Sequence, residues 1–270
     1  MQVSTVDLQD GAFQVEVCQA GTGSDVAWLH GEGGPSWNVF HDVLAQQRHV
    51  VAPSHPGFGA TTGGERLDDI HDAIYFYLDL LDALDLHRLA LIGHGLGGMF
   101  AAELAAVQPA RFSHLVLIDP FGLWLPEVPT LDYFVLPPAE LAEALYRDRE
   151  LPAAQTTARA PEGQDALVAF MLERAQTMAA AARYLWPIPD RGLHKRLHRV
   201  AAPTLIVWGQ ADRVVPPPYA AEWQRRIPGS RLVMRENAGH LPHVEQPQVV
   251  GELTVDFLNE ATPSSSMSAR

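Results

Sequence analysis

The chain is poor in cysteine and in basic residues, and it has no long apolar run. Cys18 is the only cysteine among 270 residues, so no internal disulfide can form and a reducing compartment is expected. Lysine and arginine number 19 against 32 acidic residues, which gives a net charge of −13. This charge disfavours nucleic acid and anionic membranes as partners, because phosphate groups attract basic surfaces. Without a bilayer-length apolar stretch or a secretion signal, a cytoplasmic protein with no membrane partner is expected.

Short apolar runs alternate with amphipathic segments along most of the chain. This alternation is typical of an α/β fold in which helices cover a mostly parallel sheet. Strands are predicted at 13–20, 25–30, 49–53, 89–92, 115–119, 204–208 and 231–235. Apolar residues at helical spacing predict helices around 70–81 and 249–257, and a small-residue helix is predicted at 97–107.

One region interrupts this alternation. The first part of the segment 121–200 is rich in proline, and a helical structure is predicted for the rest. The segment contains many large apolar side chains. As a group these side chains predict an apolar pocket, although any one of them taken alone is more often plain core. The pocket candidates in this segment are Trp124, Phe134 and Trp186. The polar tail 261–270 is predicted to be disordered.

A glycine-rich turn follows the apolar run 89–92. Its residues are Gly93-His94-Gly95-Leu96-Gly97, placed between a predicted strand and a predicted helix. The turn resembles the nucleophile elbow of the α/β-hydrolase superfamily, whose pattern is G-x-S-x-G, with Gly95 at the position of the serine. The resemblance implies an eight-stranded α/β-hydrolase core at 1–120 and 201–260. It also implies that the interrupting segment is a helical cap at 121–200.

Three further motifs fall in the order that this superfamily requires. The turn 30–34 is similar to the superfamily's oxyanion loop, which implies that the backbone N–H of Glu32 or Gly33 acts together with that of Leu96. Asp212, just past a predicted strand, looks like the acid of a catalytic triad. His240, in the loop 237–247, looks like its general base. The resemblance implies a substrate class as well. The bond cleaved would be an ester, or a carbon–carbon bond beside a carbonyl, in a small apolar molecule.

Several polar residues of the chain are alternative candidates for a site. Asp119 also ends a strand and is an alternative acid, although an aspartate there is more often structural. His30 and His94 are expected to line the pocket. His194 and His198 have a helical metal-ligand spacing but lack a third ligand, so no metal is expected.

The elbow also formally matches the dinucleotide fingerprint G-x-G-x-x-G. That fingerprint normally opens the first βαβ unit of its domain, whereas here several strands come first. It would also leave Asp212 and His240 unexplained. No cofactor is therefore expected, and the predicted partner is a small apolar carbonyl compound. The oligomeric state, a homodimer included, is left open.

Gly95 decides which function the site can have. Loss of the nucleophile from a serine hydrolase costs on the order of a millionfold in turnover. The chain is therefore interpreted first as an engineered or incidental variant of a serine hydrolase that lacks its nucleophile and is inactive in hydrolysis. The alternatives are a cofactor-free lyase, cyclase or oxygenase-like enzyme that uses His240 and Asp212 as its base, and a ligand-binding pseudoenzyme.

Overall fold

A computed structural model of the chain describes residues 1–187 and 190–260. Within these residues the strands are β1 (Gln2–Leu8), β2 (Phe13–Ala20), β3 (Asp25–Leu29), β4 (His49–Pro53), β5 (Leu89–His94), β6 (Phe112–Ile118), β7 (Thr204–Gly209) and β8 (Arg231–Arg235). They form one sheet in the order β1-β2-β4-β3-β5-β6-β7-β8. Pairing is antiparallel between β1 and β2 and between β2 and β4, and parallel elsewhere. The predicted eight-stranded, mostly parallel sheet is confirmed.

Helices cover both faces of the sheet. Their bounds are α1 (Val39–Ala45), α2 (Ile70–Ala83), α3 (Gly95–Val107), α4 (Pro138–Leu145), α5 (Pro152–Ala158), α6 (Gln164–Leu185), α7 (Pro218–Arg226), α8 (Pro242–Glu245) and α9 (Pro247–Asn259). Short 3-10 turns lie at Gly64–Arg66, Tyr133–Val135, Leu193–Lys195 and Leu197–Arg199. No helix in the described ranges combines the length and the apolar character needed to cross a bilayer.

Strand β1 was not predicted from the sequence. It lies at the edge of the sheet, pairs only with β2, and leaves most of its side chains exposed or half-buried. An edge strand with one covered face needs few apolar residues, so its sequence lacks the continuous apolar run of the central strands.

The central strands β5 and β7 are buried along their whole length. On one face the core includes α2 and α3, and on the other it includes α1 and α9. Every residue of α3 except Val107 is buried, and its many Gly and Ala residues let the helix lie close to the sheet. This packing fixes the carboxyl end of β5 at the centre of the fold.

The elements between β6 and β7 are helical. They comprise α4, α5 and α6 with three of the 3-10 turns, and they fall in the segment for which a cap was predicted. The exact cap boundaries stay a prediction, and the tail 261–270 lies outside the described residues. The loops after β3, β5, β7 and β8 leave the same edge of the sheet, because parallel strands end together there. Glu32, Gly95, Asp212 and His240 each follow one of these four strands.

Candidate active site

A strand, a sharp turn and a helix meet at Gly95. It is the first residue of α3, and its φ of +51° lies in the left-handed region. A Cβ on Gly97 would lie 2.1 Å from the carbonyl oxygen of Leu29, and a Cβ on Gly93 would lie 2.3 Å from the carbonyl oxygen of Gly97. Both contacts are with backbone, which cannot move aside as a flexible side chain can. The flanking glycines are therefore required by close packing of the elbow on β3 and on itself.

Asp212 and His240 form a buried hydrogen-bonded pair. His240 Nδ1 donates to Asp212 Oδ2 at 2.8 Å. The second carboxylate oxygen of Asp212 accepts the backbone N–H groups of Val214 at 2.8 Å and Val215 at 3.0 Å. The carboxylate is thus fixed by three bonds and in turn orients the imidazole. The structure brings these two predicted residues together in the geometry of an acid and a base.

The space that a side chain at position 95 would enter contains the carboxylate of Glu32. A Cβ built on Gly95 would lie 2.2 Å from Glu32 Oε2 and 3.5 Å from His240 Nε2. The other carboxylate oxygen, Glu32 Oε1, accepts a hydrogen bond from His240 Nε2 at 3.2 Å. Position 95 has no side chain of its own, but the space above it is not empty. His240 therefore bridges two carboxylates, those of Asp212 and Glu32.

The charges in this arrangement stabilise one another. Burial opposes protonation of His240, but the charges of Asp212 and Glu32 and their hydrogen bonds outweigh it and raise the pKa of the imidazole well above its usual value. Burial also opposes ionisation of Glu32, but the charge and hydrogen bond of His240 lower the pKa of this carboxyl to about 2. The contact between His240 and Glu32 thus shifts the two pKa values in opposite directions, and each charge favours the other.

Two of the predicted oxyanion donors, the backbone N–H groups of Leu96 and Glu32, interact with this same carboxylate. The backbone N–H of Leu96 donates to Glu32 Oε2 at 3.3 Å. The backbone N–H of Glu32 stabilises its own carboxylate. Glu32 was expected to contribute its backbone to the site, and the structure adds its side chain as an acceptor. At Gly33, in contrast, an added Cβ would meet no heavy atom within 4 Å.

A cavity of about 450 Å³ adjoins this centre. The sheet side of its wall includes His30, Glu32, Gly33 and His94, and the other side comes from the helical insertion. Among the described residues that line it, Gly95 and His240 do not appear, and His240 is fully buried. Glu32, which is hydrogen-bonded to His240, is itself a lining residue of the cavity. The group of this hydrogen-bonded chain that a compound in the cavity meets is Glu32.

The three aromatic pocket candidates lie elsewhere. Trp186 follows α6 and is 51% exposed, and Trp124 is half-buried in the loop after β6. Phe134 borders a separate small cavity of about 20 Å³, which Tyr133 also lines. The main cavity instead uses Tyr133 and apolar residues of α4 and α6, among them Leu141 and Met178. Amphipathic spacing could not separate these positions because the insertion is rich in large apolar side chains throughout.

The remaining candidates have supporting roles. Asp119 Oδ1 accepts the backbone N–H of Gly209 at 2.9 Å, and burial followed by the charge of Asp212 raises the pKa of this carboxyl well above its usual value. A carboxyl whose ionisation is disfavoured in this way, and which holds a backbone N–H, suits an anchor better than a second triad acid. His94 Nε2 donates to the carbonyl oxygen of His240 at 2.8 Å and so supports the histidine loop. His194 is bonded to Asp190.

The comparisons agree with this geometry. A family model described as alpha/beta hydrolase fold matches residues 28–247. The chain belongs to the α/β-hydrolase fold family. That assignment favours the elbow over the dinucleotide interpretation of 93–98.

Two curated relatives and one solved structure show the breadth of this family. An uncharacterized protein of Mycobacterium tuberculosis is 29% identical over 98% of this chain and 82% of its own length. A 2-hydroxy-6-oxo-2,4-heptadienoate hydrolase of Pseudomonas putida is 27% identical over 92% of this chain and 94% of its own. An esterase from Exiguobacterium antarcticum has a TM-score of 0.79 at 19% identity, over 96% of this chain and all of that one. This structural likeness concerns the fold.

Proposed function

We propose that this α/β-hydrolase-fold protein is an enzyme that acts by proton transfer on a small, largely apolar carbonyl compound without a seryl ester intermediate. The observation that carries the proposal is the complete Asp212–His240 pair, joined at 2.8 Å, beside a position 95 that has no side chain. A pair held so firmly is suited to moving a proton, and a glycine cannot form an acyl-enzyme.

The cavity supports a substrate related to those named for the relatives. A volume of about 450 Å³ suits a compound of modest size, and apolar residues of the insertion cover much of the wall. Arg174, half-buried on α6, adds a guanidinium to this wall. A guanidinium pairs well with a carboxylate, as in the oxo acid named for the Pseudomonas putida hydrolase. An unsaturated oxo acid, with its carboxylate near Arg174, is the substrate class that these features favour.

Incubation with 2-hydroxy-6-oxo-2,4-heptadienoate in D2O, followed by absorbance and by NMR of the products, tests this proposal. Parallel samples of a p-nitrophenyl ester measure seryl-type hydrolysis. We expect the oxo acid to be consumed or to exchange protons with solvent. The p-nitrophenyl ester should be hydrolysed no faster than in buffer without the protein. His240→Ala should abolish the reaction, whereas Arg174→Gln should raise KM with a smaller change in kcat.

Three results would speak against an enzyme of this type. Saturable binding of the oxo acid without turnover or exchange would make the protein a ligand-binding member of the family. Absence of both binding and turnover would remove this substrate class. A burst of p-nitrophenol would show that a nucleophile other than residue 95 forms an acyl intermediate.

A further inference from the structure

Glu32 and Gly95 fit together as one feature of the site. The carboxylate of Glu32 occupies the volume that a side chain at position 95 would need. A Cβ added to Gly95 would lie only 2.2 Å from Glu32 Oε2. The two residues come from different loops, after β3 and at the start of α3. A large side chain in one glycine-rich turn thus compensates for the absence of a side chain in the other.

The carboxylate also makes the hydrogen bonds that a serine site would use. Its Oε1 is 3.2 Å from His240 Nε2, the atom that would take a proton from a serine hydroxyl. Its Oε2 accepts the N–H of Leu96 at 3.3 Å, the donor that would stabilise an oxyanion. One side chain therefore occupies both the nucleophile space and the oxyanion position.

We propose that Glu32 takes the place of the serine side chain and determines what the site accepts. With its donors already used, the site does not hold the carbonyl oxygen of an ester in the oxyanion position. Instead it presents an anionic acceptor to the cavity. The end of the bound compound that meets Glu32 therefore carries a hydrogen-bond donor, an O–H or N–H group, rather than an ester carbonyl or a second anion. This inference rests on the proposed use of the site, but its test requires no turnover.

Labelling with a fluorophosphonate, read by intact mass, tests this assignment. In a functional serine site the hydroxyl oxygen bonds to phosphorus, fluoride leaves, and His240 takes the hydroxyl proton. The proteins compared are the natural chain, Gly95→Ser, Glu32→Ala and the double variant. We expect the double variant to be labelled about 100-fold faster than Gly95→Ser, because one lost oxyanion donor alone costs about 10²–10³. The natural chain and Glu32→Ala should stay unlabelled.

A matched control removes another carboxylate from the same cavity. Glu173 lines the cavity wall on α6, in an exposed position. Glu173→Ala combined with Gly95→Ser should give no gain over Gly95→Ser alone. Equal labelling of Gly95→Ser and the Glu32→Ala double variant would overturn the proposal. A folded double variant that resists labelling would overturn it as well.

A second measurement works without the introduced serine. Glu32→Ala exposes the N–H of Leu96 and the imidazole of His240 to a small anion, and acetate is the probe. We expect acetate to perturb the imidazole resonances of His240 saturably in Glu32→Ala. Glu32→Gln, which fills the space without charge, should show no such response, and neither should the natural chain. Identical titrations in all three proteins would refute the placement of the carboxylate, whatever the outcome with the oxo acid.

Discussion

Lowering the pH from 7 to 5 perturbs the histidines that the fold buries. His30, His41 and His94 are each almost inaccessible to solvent. Burial is the main cause that lowers the pKa of each imidazole from 6.5 to about 4. The charge or hydrogen bonds of their neighbours oppose this shift only in part. In the folded protein these three side chains are therefore neutral at both pH values.

In the unfolded chain these three histidines bind protons at a higher pH than they do in the folded protein. Between pH 6.5 and pH 4 the unfolded histidines are charged and the folded ones are not, so stability falls as the pH falls through this window. For a shift from 6.5 to about 4, the loss between pH 7 and pH 5 is about 2 kcal/mol per histidine. Three such residues give about 6 kcal/mol, against a typical total stability of 5–15 kcal/mol.

Two groups of the site change this result little. His240 has a raised pKa, so its contribution is fully present below 6.5 and is lost only as the pH rises through its folded value. Glu32 has a lowered pKa, and its contribution is present above 4.5 and is lost as the pH falls towards about 2. Between pH 7 and pH 5 the unfolded imidazole of His240 takes up its proton, which offsets less than the loss from one buried neutral histidine, whereas Glu32 titrates mainly below this interval. The neutral histidines therefore dominate this interval.

Urea unfolding at pH 7 and pH 5 measures the effect, with His41→Gln as the diagnostic variant. His41 is the third residue of α1, and its side chain accepts the N–H of Asn38 in a capping box that glutamine also supports. The variant should lose about 2 kcal/mol of the pH dependence, in line with the shift at this one site. His71→Gln, at a side chain that is 68% exposed, serves as the control. An unchanged pH dependence in His41→Gln would refute the reasoning.

Further predictions concern the elbow, a buried ion pair and the acid–base centre. Gly97→Ala should destabilise the fold by about 3 kcal/mol or more because its Cβ meets backbone, whereas Gly33→Ala, with nothing within 4 Å, should be nearly neutral by thermal melting. Arg196→Met should cost about 3–5 kcal/mol in urea unfolding, since it leaves the buried carboxylate of Glu103 without its cation, and restoration by Glu103→Gln would support this cause. A thermal melt of His240→Ala should show a loss of stability from two uncompensated carboxylates, and an unchanged melting temperature would contradict the ion-pair description.

Much of the fold could be predicted because its core strands are continuous apolar runs. Strand β4 was located to the residue, β5 and β7 were located at their first residue, and the elbow was identified by glycines that its close packing requires. Strand β1 was missed because edge position, not apolar content, determines it. Trp124, Phe134 and Trp186 do not line the main cavity, because the abundance of large apolar side chains in a segment does not show which cavity each one faces.

The role of the Glu32 side chain was missed for a different physical reason. Resemblance assigned this position a backbone function, and a backbone donor tolerates any side chain, so the glutamate seemed incidental. Its meaning depends on a contact with residue 95, which lies on another loop and has no side chain to suggest a partner. The sequence did contain a signal, because it departs from the superfamily pattern at two places. An ionisable residue lies within Gly31-Glu32-Gly33, and the elbow has a glycine at the position of the serine. The side chain of Glu32 fills the space beside Gly95 and makes the hydrogen bonds there. The effect of a substitution at either position therefore depends on the residue at the other.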